Sequence, residues 1–430
     1  MSSVWRKNSS FPSFKSLSRD IETDVLVIGG GLCGVLCAHY LTKMGVNCVL
    51  LEANEICGGV TNYTTAKITA QHGAVYSRLI KYFGQDRARL YYNAHTDATE
   101  EYGELCRDID CDFRRTPSYL YSTGNPSELE AEFSALKMLG IPVSRKESEE
   151  LPFKTSYSLR FDNQAVFNPL KLTARLVGGL EIYERSRVLG IVGTTAYTSD
   201  HSVRAKRIIV ATHFPFINSH GFYYLKMYQE RSYVLALTGA PKLSGMYLGI
   251  GESGISLRSA GDVLLVGGGA HRTGKGGCGW HICEEFKKKF YPDAEVYTRF
   301  ATQDCMSLDA MAYIGKYSAL SDGLYVATGF NKWGMTSSMV AARLLSDLII
   351  GKSNVYAELF TPSRSILRRG LLTNTKEAIS GWLSFGKPRC SHLGCALNYN
   401  RYENSWDCSC HGSRFNEDGE LLDNPANTDL

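Results

Sequence analysis

Four residues near the C-terminal end of the chain have the types and spacing to hold a metal centre. Cys390 and His392 form C-x-H, Cys408 and His411 form C-x-x-H, and 15 residues separate His392 from Cys408. Thiolate and imidazole are ligands of zinc. They are also the ligands of the 2Fe–2S cluster in which two cysteines hold one iron and two histidines the other. Neutral imidazole removes negative charge from such a cluster and lifts its potential into a range of roughly −150 to +300 mV. Short Cys/His spacing by itself leaves zinc open. The flanks Leu393-Gly394-Cys395 and His411-Gly412-Ser413 are not needed by a zinc knuckle and favour the cluster.

A second chemistry sits at the other end. Residues 23–29 read as a buried parallel strand, Gly29-Gly30-Gly31-Leu32-Cys33-Gly34 follows, 35–44 reads as a helix, and 47–51 reads as a strand ending in Glu52. This is the order of a dinucleotide fold. Gly29 permits the tight turn, Gly31 a close approach of backbone to pyrophosphate, and Gly34 the packing of helix on strand. The helix N-terminus offers free N–H groups to phosphate, and Glu52 is placed to accept from a ribose. The fingerprint alone does not separate FAD from NAD.

Composition bounds the remainder. The chain has 430 residues, 44% hydrophobic and 21% charged, with net charge +4. That is enough for two or three domains and too mild a charge to argue for nucleic acid. There is no apolar run of transmembrane length. Residues 1–20 are polar, with Lys7, Lys15 and Arg19 and no apolar h-region, so a secretory signal is not expected. The 13 cysteines are scattered, and Cys33, Cys37 and Cys48 fall in expected core elements. That is the usage of a reducing, cytoplasmic compartment.

Between the two ends, residues 76–108 read as two helices, 113–122 as a strand and 127–139 as a helix. Asn168-Pro169 starts a helix to Leu176. Residues 204–212 read as a strand returning to the first sheet, and 223–298 as β-rich. After Tyr313-Ile314-Gly315, residues 323–329 form a strand, followed by Phe330-Asn331-Lys332-Trp333-Gly334-Met335-Thr336 and a helix over 337–350. This strand, glycine turn and helix resembles the C-terminal flavin-contacting motif of D-amino-acid oxidase-type enzymes, which implies a helix N-terminus near Gly334 facing the flavin N1–C2 carbonyl region, where it can stabilise charge that develops on reduction. Residues 361–386, with Pro362, Arg364, Arg368 and Arg369, read as a linker.

On these motifs residues 24–360 resemble the D-amino-acid oxidase-type FAD oxidoreductases, and residues 390–411 resemble the Rieske family. The loop Cys57-Gly58-Gly59 to Thr69, including Thr64-Thr65-Ala66-Lys67, and the 330–336 run look like bacterial members carrying a C-terminal Rieske domain. The resemblance implies an α/β fold, α+β overall. A Rossmann-type FAD domain (about 21–75, 160–215 and 305–355) interleaves with a β-rich substrate domain (about 76–159 and 216–304). A short Rieske domain follows at 387–430, with no visible base sheet. It implies FAD, with Gly29, Gly31, Gly34, Glu52, Thr65, Lys67, Gly329, Gly334, Met335 and Thr336 at the cofactor. It also implies a 2Fe–2S cluster, with Cys390 and Cys408 on the inner iron and His392 and His411 on the outer, solvent-facing one. Cys395 and Cys410 stand where high-potential Rieske proteins have a disulfide, and Asp423-Asn424-Pro425 resembles the loop that covers the cluster.

Three departures refine the expectation. Amino-acid oxidases of this type carry an arginine for the substrate carboxylate where this chain has Asp304, which suits a cationic amine instead; a structural residue at a strand end is the other reading. The position of the flavin-tethering cysteine of sarcosine oxidases holds Thr302, with Cys305 three residues too late, so non-covalent FAD is expected. Ser413 matches the serine that bonds a bridging sulfur, but cytochrome bc-type proteins have a tyrosine where Phe415 stands, so a lower potential is expected. Catalytic candidates are Lys67, Asp304 and Lys332. His72, His213 and His271 lie in flavin-side loops and read as structural, while Arg258 and Arg272 are open to an anionic group. The expected function is oxidation of a small amine-type C–N substrate, with a CH–OH donor also open, the electrons leaving through the exposed histidine edge to a one-electron acceptor, protein or quinone-like. A module fed by NAD(P)H or a protein partner, and a redox sensor, remain alternatives.

Overall fold

The structure is a computed structural model and describes residues 3–7, 11–251, 254–365 and 369–430; Arg368 of the expected linker lies outside the described residues. Among the described residues the strands form three sheets. The first has Ile21–Ile28 at its centre. Cys48–Leu51 and then Glu181–Tyr183 lie on one side, and Ser202–Val210 and Leu324–Thr328 on the other, all parallel. Tyr313–Lys316 closes that edge antiparallel. The chain leaves the central strand at Ile28, so its C-terminal end is a switch point where the crevice for a dinucleotide opens. Continuous apolar strands such as Val25 to Ile28 suit burial on both faces. The helices Leu32–Lys43 and Gly334–Ile349 pack against each other beside this sheet.

The second sheet is longer and mostly antiparallel, running from Glu295–Ser307 through Met227–Thr238 and Val263–Arg272 to Arg114–Ser122 and Tyr157–Val166. Its first strand carries Ala301 to Cys305 past the mouth of the first sheet. The helices Tyr76–Phe83 and Gln85–Leu105 are the expected pair within 76–108. Asn168 caps Pro169–Leu176, accepting from Leu170 N at 3.1 Å and Lys171 N at 3.2 Å.

The C-terminal part differs from expectation in two respects. The stretch read as a linker contains a helix, Arg369–Leu383. It is anchored by Asn374 Nδ2, which donates to Leu225 O and Met227 O at 3.3 and 3.2 Å. Before it, Arg364 pairs with buried Asp309 at 2.6 Å and lies 3.7 Å over the Tyr313 ring. The base sheet not visible in the sequence is present: Leu397–Asn400, Ser405–Cys408, Arg414–Phe415 and Leu421–Asp423 pair antiparallel. These strands are two to four residues long, too short to leave an alternating pattern. Among the described residues no helix is long and apolar enough to cross a membrane.

Candidate functional site: a dinucleotide cavity beside a cysteine–histidine centre

Gly29 ends the central strand with φ +107°, and a Cβ there would lie 2.5 Å from Ala211 O. Gly34 meets Gly29 O so closely that a Cβ would sit 1.9 Å away, which brings the helix start onto the strand. Gly31 is open on its cavity side, a Cβ meeting only Thr61 Oγ1 at 3.4 Å. These residues open a cavity of about 600 Å³. Glu52 stands at its wall, accepting from Gly30 N and Asn54 N, both at 2.7 Å. Burial raises the Glu52 pKa, and those N–H bonds oppose the rise.

Gly29, Gly31, Glu52, Gly334 and Met335 line the cavity. The helix expected at 337–350 begins at Gly334, so Gly334, Met335 and Thr336 form its first turn. Gly34, Thr65, Lys67, Gly329 and Thr336 stand outside the lining. Gly329 has φ +70°, and Thr336 Oγ1 donates to Thr69 O at 3.2 Å. Thr65 O accepts from Arg258 at 2.7 Å. The Lys67 ammonium bonds Ser256 Oγ; burial, helped by nearby Arg258, drops its pKa to about 7.

Asp304 and Lys332 do line the cavity. Asp304 lies within the strand Glu295–Ser307 rather than at its end, opposite Glu230. Burial lifts its pKa to about 6, against a smaller pull from Lys332. Lys332 pairs with Glu230 at 2.8 Å. The hydroxyl of Thr302 is buried with no partner among the described residues. Cys305 Sγ turns to Gln229 Oε1 at 3.7 Å.

His72 is a structural residue, bonded to Tyr91 and Thr69 at 2.6 and 2.7 Å. His271 stacks on Tyr233, and Arg272 donates to Ser409 O and Cys410 O at 2.9 and 2.8 Å. His213 is more than that. It lines the cavity, has φ +68°, and leaves Nε2 buried without a partner among the described residues. Its cue in the sequence was its place after a sheet strand; its orphaned nitrogen depends on contacts that pattern cannot carry. Gln303, Asp423 and Asn424 also line the cavity and had no signal as cavity residues.

Directly behind them lies the C-terminal centre. The loops at 390–395 and 408–413 bring the His392 and His411 rings to 5.0 Å at 89°. Cys390 and Cys408 share a hydrogen bond, and the Ser413 side chain also bonds Cys390. Both histidine Nδ1 atoms are buried and have no partner among the described residues. Two adjacent sulfurs and two bare Nδ1 atoms fit a 2Fe–2S cluster with one Cys₂ and one His₂ iron. The glycine-lined crevice, the two helix N-termini and Glu52 fit FAD in the same way.

Two expectations are corrected here. The Cys395–Cys410 disulfide is not formed: both are free thiols, their sulfurs and that of Cys408 lying within 4.8 Å of one another. A disulfide needs its sulfurs at about 2.05 Å. The histidine edge does not face solvent either. His411 is 5% exposed and part-buried His392 contacts Asn218 of the flavin-side body at 2.8 Å.

Comparison with known proteins agrees with both centres. The family model for FAD dependent oxidoreductases matches residues 24–348, and that for the Rieske [2Fe-2S] domain matches residues 372–430. The chain is 35% identical to the Rieske 2Fe-2S iron-sulfur protein YhfW of Bacillus subtilis, over 98% of this chain and 95% of that one. It is 27% identical to gamma-glutamylputrescine oxidoreductase of Escherichia coli over 47% of this chain and 52% of that protein. L-proline dehydrogenase from P. horikoshii shares the fold at TM-score 0.66 and 16% identity, covering 80% of this chain and 98% of its own. The chain therefore belongs to the FAD-dependent oxidoreductase family and carries a C-terminal Rieske [2Fe-2S] domain.

Proposed function

We propose that this protein oxidises a small amine-type substrate at a C–N bond, using non-covalent FAD, and delivers the electrons singly to an external acceptor. Bound FAD supplies the two-electron acceptor for the substrate C–H, and a bound Rieske cluster supplies a one-electron outlet. The observation that carries the reading is Asp304. Among the described residues its carboxylate makes no hydrogen bond or close ion pair, and it lines the cavity in an anionic form above about pH 6. A half-buried carboxylate without a partner carries a desolvation cost, and a substrate ammonium donating to its oxygens relieves that cost.

The neighbouring residues divide the other tasks. Lys332 is held by Glu230 and so does not compete for Asp304 at salt-bridge distance. Gln303 closes the wall between the cavity and the cluster loops, its Nε2 donating to Gly412 O at 2.8 Å. Thr302 offers no thiol at the tethering position, and Cys57, whose thiol burial pushes up to about 12, is no nucleophile near neutral pH. The named relative and neighbour give support of the same kind, since γ-glutamylputrescine and L-proline both carry C–N bonds.

The test is an anaerobic screen of amines and amino acids, following flavin bleaching in the purified holoprotein. Bleaching by one or more amines is the expected result. Bleaching by glycine or D-alanine with none by amines would overturn the amine assignment, and bleaching by NADH or NADPH alone would favour a nucleotide-fed module. Acid precipitation should release the flavin into the supernatant; flavin retained in the pellet would contradict the non-covalent assignment.

A further inference from the structure

In a cluster held by histidine Nδ1, the two Nε2 atoms form the edge at which a redox partner would dock. Here both edges are occupied from within the chain. His392 Nε2 lies 2.8 Å from Asn218 Oδ1, and His411 is hydrogen-bonded to the Tyr224 backbone. The Phe214 ring meets both imidazoles, each at 6.4 Å, and the Tyr224 ring meets His411 at 6.1 Å. An amide oxygen only accepts, so His392 must carry its proton on Nε2. The opposite tautomer would put a proton on a buried Nδ1 that has no partner.

The loops carrying these ligands are fixed to the same body. Gln229 Nε2 donates to His411 O at 2.9 Å and to Asn424 O at 2.7 Å. Asn424 Nδ2 donates to Phe214 O at 2.9 Å, and Arg272 holds the Ser409 and Cys410 carbonyls. Asn424 and Gln303 thus line the cavity and also hold the cluster loops.

We infer that the histidine edge is an internal contact, sealed by the segment 213–224, with Asn218 as the positioning residue that fixes the His392 ring and tautomer. No external carrier or quinone reaches the cluster at this edge; the flavin-side domain is what it meets. Hydrogen bonds to the outer nitrogen of a metal-bound histidine set ring orientation and ligand basicity, which gives Asn218 a readout apart from turnover. The inference rests on the cluster being bound and not on the identity of the substrate.

The test is modification of the holoprotein with diethyl pyrocarbonate, mapped by peptide mass spectrometry. His220 and His281 are exposed and serve as internal references. The expected result is that His392 and His411 react at least tenfold more slowly than the references. In Asn218→Ala, with cluster absorbance retained, His392 becomes reactive and the EPR g-values of the reduced cluster shift; Asn218→Asp, which keeps an acceptor oxygen, restores them. Wild-type His392 and His411 reacting as fast as His220 would overturn the sealed edge. Unchanged protection and unchanged g-values in Asn218→Ala would overturn the role of Asn218.

Discussion

Asp304 ionises later in the folded chain than in the unfolded one, because burial lifts its pKa from the ordinary 3.8 to about 6. The folded state therefore binds the proton more tightly over that interval. The associated stability is fully present below about pH 4 and is lost as pH rises through about 6. Asp304→Asn removes the dependence, so melting temperatures from pH 4 to 8 should show the wild type falling relative to the variant across this window; parallel curves would contradict the buried carboxyl. On the proposed amine substrate the same variant loses a charge-assisted bond, and KM should rise about 10- to 100-fold with flavin content unchanged. An unchanged KM would place the amine elsewhere. Ser413 acts on the other centre. Its side chain bonds Cys390 and accepts from Ala426 N at 2.9 Å. Losing a bond of about 1–1.5 kcal/mol that favours the reduced cluster lowers a one-electron potential by about 45–65 mV. An EPR-monitored titration of Ser413→Ala should show that fall; an unchanged midpoint would mean that the hydroxyl serves only the 426 backbone. The four candidate ligands were legible because thiolate and imidazole at fixed spacing are a local code. The isolation of Asp304 was not, since it depends on Glu230 across the strand and on Lys332 being engaged by it.

At the scale of elements, the strand–glycine–helix unit was readable because its constraint is steric and local. Gly34→Ala would put a Cβ 1.9 Å from Gly29 O, against backbone that cannot turn aside. The helix Leu32–Lys43 must then move off the strand, at a cost of about 1–3 kcal/mol, and its N-terminus leaves the phosphate position. Flavin content and melting temperature of the purified variant should both fall; full flavin at the wild-type melting temperature would contradict the close approach. The helix Arg369–Leu383 shows the opposite case. Its contacts with the rest of the chain are polar or close-packed: Asn374 on two carbonyls, Glu377 paired with Lys275 at 2.8 Å, Trp382 Nε1 donating to Leu393 O at 2.9 Å, and Gly381, where a Cβ would meet Cys410 Sγ at 2.8 Å. Leu372, Ile379 and Trp382 are exposed. A helix held by polar bonds and a close glycine contact, with these apolar residues outward, presents no buried apolar stripe for periodicity to find, and so it reads as a linker.

Across the whole molecule, the C-terminal unit is joined to the body by a buried charge network. Arg231, from the long sheet, pairs with Glu403, and Arg414 bridges Glu403, Asp407 and Asp423 at 3.1, 3.0 and 2.9 Å. Tyr233 adds a hydroxyl bond to Glu403 at 2.9 Å. Burial alone would raise the Glu403 pKa, but Arg231 and Arg414 outweigh it and hold the carboxyl at about 2. Its contribution is therefore present above the ordinary value of 4.5 and is lost only as pH falls through about 2. Excising residues 369–430 removes Arg231, Tyr233, Gln229, Gln303 and Arg272 together. Leaving a buried ion pair with one partner missing costs about 3–5 kcal/mol, comparable to all that a core of this size supplies at about 60 residues. That core is small: Leu397, Phe415 and Ala426 with the four cysteines. The fragment, produced with iron–sulfur assembly active, should lack stoichiometric iron and sulfide and show no rhombic EPR signal on reduction, while the full chain shows both. Arg231→Met in the full chain should fall between them, with cluster lost on mild heating before the flavin. A fragment that keeps a full cluster with the signal of the intact protein would mean that the four short strands suffice and that the contacts with the flavin-side body serve only to place the histidines.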